Sequence, residues 1–174
     1  MNLTVTVHDA QLQRTLDALA ARMRNLKPAM DEIGQRYERR VLENFRNESA
    51  PDGTKWQKLS AATLQLGIAA SKGFGKRGLN KAGRTYLTSK RLLVASGRMR
   101  SRLHYQTGNS SARVGINGIP YAAIHQFGGM AGRGHKVKIP ARPYLAMNNG
   151  NKLTLAGRDQ SMVLAVLQRH LAKA

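Results

Sequence analysis

No acidic residue occurs between Asp52 and Asp159. That interval, residues 53–158, holds 19 of the 29 Lys and Arg. The remainder is close to balanced, with ten basic residues against nine acidic ones. The formal charge of +20 therefore belongs to one long segment rather than to the whole chain. Compacting such a segment costs self-repulsion, because no carboxylate inside it offsets its cations. The interval calls for a partner of opposite charge, either nucleic acid or an acidic protein surface.

A chain of 174 residues is long enough for one domain with a real core. Aromatic residues make up only 5%, so Leu, Val, Ile, Ala and Met must supply most of that core. With no cysteine there is no disulfide, thiol nucleophile or thiolate metal site. No apolar run has the length of a signal peptide or of a spanning helix. The sequence is thus expected to be soluble, made in the cytoplasm, and without a membrane partner.

Periodicity sets out the elements. Leu3, Val5 and Val7 alternate with Thr4 and Thr6, which predicts a strand. Asp9 is placed to cap a helix carrying Leu12, Leu16, Leu19, Met23 and Leu26. Pro28 either breaks that helix or opens the next. Met30, Ile33, Tyr37, Val41 and Phe45 then define an amphipathic helix over about 28–47. Its other face, with Glu32, Arg36, Arg39, Arg40 and Glu43, reads as solvated. Pro51-Asp52-Gly53 predicts a turn, with Trp56 docking it on the domain. Ser60 is placed to cap a short helix through Leu66.

Five glycines and seven basic residues crowd 67–91. The basic residues are Lys72, Lys76, Arg77, Lys81, Arg84, Lys90 and Arg91. This composition disfavours a packed core and predicts a mobile basic arm over about 71–91. Beyond it, residues 96–100 predict a short helix. Leu103, Tyr105 and Thr107, then Ala112, Val114 and Ile116, predict a β-hairpin around Gly108–Ser110. Tyr121–Phe127 is a short apolar element of either type, and Gly128–Gly134 a glycine-rich loop. Val137 and Ile139 predict a third strand of the same sheet, stopped by Pro140. A helix over about 156–172 closes the chain. The fold class is α+β: N-terminal amphipathic helices on a small, mostly antiparallel sheet, with a C-terminal helix and a long basic loop.

Chemistry-bearing motifs are sparse. Gly73–Gly78 spells GxGxxG, but no strand precedes it and no acid follows until Asp159, so it is not a dinucleotide fingerprint. His104, His125 and His135 lie outside metal spacings and have no nearby acid. His125, in an apolar stretch, reads as a hydrogen-bonded core histidine. No catalytic, metal or cofactor site is assigned, and the protein is not expected to be an enzyme. The basic arm could meet phosphates with a steep salt dependence, but Phe74 and Tyr86 are its only stacking candidates and no base-reading motif is present.

Four blocks, in order, resemble the phage virion morphogenesis family, also called the tail completion family of Mu-like and P2-like tailed phages. They are Phe45–Leu59, Ser96–Met99, Tyr121–Gly129 and Ile139–Leu145. The resemblance implies a non-enzymatic structural protein that completes the tail or joins it to the head at the neck. It implies an oligomeric ring, neighbouring neck or tail proteins as partners, genomic DNA as a further contact, and location in the virion. Motif residues Trp56, Gly97, Arg98, Tyr121, His125, Gly128, Gly129, Pro140, Arg142 and Pro143 then acquire structural roles. Gly128 and Gly129 would permit a tight turn, and Pro140 and Pro143 would hold Ala141 and Arg142 extended. Arg142, and likewise Arg98, would bridge either to a neighbouring subunit or within the chain. The alternative to this family reading is a stand-alone, sequence-independent nucleic-acid-binding protein.

Overall fold

The computed structural model describes residues 10–94, 96–150 and 152–172. The strand expected at Leu3–Val7 and the cap expected of Asp9 lie outside these residues.

Helix α1 spans Ala10–Arg24 and α2 spans Lys27–Asn47. Pro28 sits in the first turn of α2, where its missing N–H leaves no bond unmade. Glu48 ends α2 in the left-handed region at φ 50°. Two bonds hold that conformation: Glu48 Oε1 accepts from Leu92 N at 2.8 Å, and the Glu48 carbonyl from Trp56 N at 2.9 Å. α1 has the predicted period but contributes no buried residue. Leu16 is 50% exposed and Met23 65%. Periodicity marks which face of a helix is apolar, but not whether anything covers it.

The basic segment, expected as a mobile arm, carries regular secondary structure. Helix α3, Ala61–Ala70, starts at Ser60, whose hydroxyl accepts from Thr63 N at 3.2 Å, and it runs past Leu66. A short hairpin of β1 (Phe74–Gly75) and β2 (Gly78–Leu79) leads into α4, Lys81–Ser89. Asn80 caps α4 by accepting from Gly83 N at 3.1 Å. Three glycines serve close packing here rather than looseness. A Cβ on Gly67 would run into the Tyr86 phenol, and one on Gly83 into the Gly73 carbonyl. A Cβ on Gly73 would strike the Gly83 backbone and Ile68. Glycine composition signals flexibility only where no backbone needs to approach that closely.

Short helix α5, Arg98–Ser101, precedes the hairpin of β3 (Leu103–Thr107) and β4 (Ala112–Ile116), paired Leu103 to Ile116 and Thr107 to Ala112. α2 lies across this hairpin, so close that a Cβ on Gly34 would sit 2.6 Å from Tyr105 Cδ2. The main core forms between them from Val41, Phe45, Trp56, Leu92, Met99, Leu103 and Tyr144. The Phe45 ring meets Trp56 edge-on at 5.8 Å and Tyr144 at 5.1 Å. Such pairs add about 0.5–1.5 kcal/mol each beyond area burial.

Helix α6, Ala122–Phe127, is followed by β5 (Gly129–Ala131) and β6 (Val137–Ile139). The strand predicted at Val137–Ile139 exists and stops at Pro140, but it is not a third strand of the β3–β4 sheet. It pairs with β5 instead. Gly128, Gly129, Gly132 and Gly134 all have positive φ and fold the chain back locally, so the adjacent segment is its partner. A last hairpin joins β7 (Met147–Asn149) to β8 (Lys152–Thr154). Among the described residues, all the sheets are two-stranded and antiparallel.

Helix α7, Gly157–Ala172, packs on the N-terminal half of α2, with Val166 buried against Ala29, Met30 and Ile33. The charged face of α2 is therefore not simply solvated. Arg169 of α7 pairs with Glu32, and Asp159 with Arg40.

Candidate partner-binding surface

Every Lys and Arg of the interval 53–158 is exposed, except Lys90, which is half-buried, and Arg142, which is buried. Among the described residues, only Arg158 of this group lies within 4.0 Å of a carboxylate, that of Asp159. The fold thus leaves the charge excess unneutralised at the surface, which projects a strong positive potential.

The seven arm residues are placed by three elements. Lys72 follows α3 with φ 53°, and Lys76 and Arg77 form the tip of the β1–β2 hairpin. Lys81 and Arg84 project from α4, where Arg84 Nη1 donates to the Leu79 carbonyl at 2.9 Å. Lys90 lies 5.4 Å over the Tyr86 ring, and its neighbour Arg91 is exposed.

Lys90 and Arg91 border a cleft of about 290 Å³, whose walls include Leu59, Leu93, Met99 and Tyr121. His125 and Arg142 line it, and the same two side chains line a second cleft of about 560 Å³ bordered by Lys58 and Lys138. Arg142 is only 4% exposed. Its Nε donates to the Gln57 carbonyl at 2.9 Å, and its Nη2 lies 3.4 Å from the Lys58 carbonyl. The guanidinium of Arg142 is thus tied within the chain to backbone oxygens, without a carboxylate. Burial pulls its pKa below the usual arginine value.

His125 corrects the hydrogen-bonded core histidine its surroundings suggest. Its ring is half-buried and meets Tyr121 edge-on at 6.0 Å. Its Nδ1 is buried and has no hydrogen-bond partner. Burial first, and the Arg142 charge second, hold its pKa below the usual histidine value. His104 differs, since its Nδ1 meets the Arg102 carbonyl and its Nε2 meets Asn117, each at 3.1 Å. His135 is exposed. Among the described residues, no group of three His, Cys, Asp or Glu is placed to hold a metal ion.

The remaining motif residues build the scaffold beneath the clefts. Trp56 Nε1 donates to the Pro143 carbonyl at 2.8 Å, joining the Pro51 turn to the Pro140–Pro143 strap. The Arg142 N–H donates to the His125 carbonyl at 2.7 Å, joining that strap to α6. Gly128 has φ 75°, and a Cβ there would sit 2.9 Å from Ala141 N. Gly97 enters α5 at φ 68°, and Arg98 is exposed. Sequence patterns do not mark Gln126, the hub of this region. Its Oε1 accepts from Tyr144 N and Leu145 N, and its Nε2 donates to the Ala146 carbonyl and Asn148 Oδ1. A glutamine in an apolar stretch was the available signal, because a buried amide must find partners.

No helix among the described residues is long and apolar enough to cross a membrane. No solved structure matches the chain. It is 34% identical over 146 residues to the Mu-like prophage FluMu G protein 2 of Haemophilus influenzae, covering 83% of this chain and 84% of that protein. Residues 7–172 match the phage virion morphogenesis family, and the chain belongs to that family.

Proposed function

We propose that this protein is a non-enzymatic structural component of a tailed phage, completing the tail or joining it to the head at the neck as an oligomeric ring. Family membership over nearly the whole chain carries the reading, with the relative from a Mu-like prophage beside it. The unneutralised cationic surface supports it, since a subunit in an assembly can take its counter-charges from its neighbours. The folded α3–α4 unit, with Lys72, Lys76, Arg77, Lys81 and Arg84, is the face assigned to an acidic neighbour or to the DNA path.

Immunogold labelling of intact virions tests the location, and the mass of the purified protein in solution tests the ring. Label at the neck or tail end, with a discrete oligomer, is the expected result. Label over the capsid shell, or none on the particle, would overturn it. Retention of duplex DNA by a stable monomer, abolished when Lys76, Arg77, Lys81 and Arg84 become Gln, would instead favour a stand-alone nucleic-acid-binding protein.

A further inference from the structure

We infer that the paired clefts around Arg142 and His125 form a receptor for an acidic side chain of a partner protein. Three observations converge there. Arg142 is a buried cation with backbone carbonyls but no carboxylate around it. Buried charges are costly unless paired, so this one invites an anion. His125 Nδ1 is a buried polar atom without a partner, on a ring that lines both clefts. Lys58, Lys90, Arg91 and Lys138 stand at the rims with no acid among the lining residues.

The geometry favours a carboxylate over a polyphosphate backbone. Arg142 already directs Nε and Nη2 at carbonyls, which leaves one edge of its fork, with Nη1, for an incoming anion. That remainder and one imidazole nitrogen suit the two oxygens of one carboxylate. The walls beside them are apolar, from Leu59, Leu93 and Met99, and suit the methylenes of a Glu stem. Exposed Tyr121 and Val137 flank the clefts, an apolar rim that fits a protein partner better than nucleic acid. The inference concerns the chemistry of the site and does not depend on where in the virion the chain sits.

Hexaglutamate titrated into the isotopically labelled full-length chain at low salt, followed by NMR, provides the test. The His125 ring and Arg142 Nε–H signals should shift saturably, and the His125 titration midpoint should rise in the complex. Lys138→Gln should weaken binding several-fold more than Arg113→Gln, which removes the same charge from β4. His125→Asn should weaken it about tenfold. Should that variant not fold, the wild-type signals and the two charge variants still decide. Equal weakening by Lys138→Gln and Arg113→Gln, or unmoved His125 signals, would overturn the proposal by reducing the attraction to diffuse charge. A hexathymidylate strand shifting His125 as strongly as the peptide would overturn the carboxylate assignment.

Discussion

Arg40 and Asp159, 119 residues apart, meet at 3.3 Å between Nε and Oδ1. Asp159 is the acid that ends the long carboxylate-free interval, and its side chain is 1% exposed. It also lies in the first turn of α7, where the helix dipole favours a negative charge. One buried carboxylate thus joins the last helix to α2.

Asp159→Asn should destabilise the fold by about 1.5–3 kcal/mol, because it takes the charge out of the buried bond to Arg40, which keeps the partly exposed Glu43 as an ionic partner. Urea unfolding measures this. Arg40→Ala in the Asn background should add less than it does alone, because the two side chains act as a pair.

Gly83→Ala should disrupt the packing of α3 on α4. The added methyl meets the Gly73 carbonyl, and overpacking of this kind costs about 1–3 kcal/mol. Hydrogen exchange at the α4 amides should speed up while the α2 amides keep their protection. Gly115→Ala, with open space around it, is the control. An unchanged α4 would mean that the basic segment is as loose as its composition predicts.

Gln126→Ala should cost about 3 kcal/mol or more. Four hydrogen-bonding groups lose a partner together, and unsatisfied buried groups cost about 1–3 kcal/mol each. A fall in the urea midpoint beyond that of a single core truncation such as Val41→Ala checks it.

Stability should fall with acid in two stages. Burial keeps His125 neutral in the fold, so its folded pKa lies below the ordinary value of 6.5. The unfolded chain binds that proton first, and stability declines as pH drops from 6.5 towards the lowered value. His125→Phe should flatten this stage. Glu32 is held below its ordinary 4.5 by the hydrogen bond from Arg169. Its contribution is present above 4.5 and lost as pH falls through the lowered value. That stage is small, because the pair is solvent-screened. Urea midpoints across this pH range, in both proteins, test the two stages.

Helix α2, the β3–β4 hairpin and helix α7 were legible because each buries one face, which imprints its period on the sequence. Trp56 was legible as a docking residue because a lone indole beside a turn has few other places to go. The β7–β8 hairpin was not, since its strands are short and largely exposed and carry no alternation. Its Asn149-Gly150-Asn151 tract held the only hint. In the candidate site, Arg142 and His125 were visible as motif residues. Their convergence was not, because it rests on the bond from the Arg142 N–H to the His125 carbonyl, which joins the strap to α6.

The sequence by itself determined the charge asymmetry, the main amphipathic elements and the family. These are properties of composition, local period and residue order. Tertiary structure decided what the glycines of 67–83 do and which strand pairs with Val137–Ile139. It also decided that Arg142 is enclosed while almost every other cation of the acid-free interval stays in water. Those outcomes rest on which backbones come within a methyl group's width of each other, and on which polar atoms are left without a partner. Both depend on residues far apart in the chain.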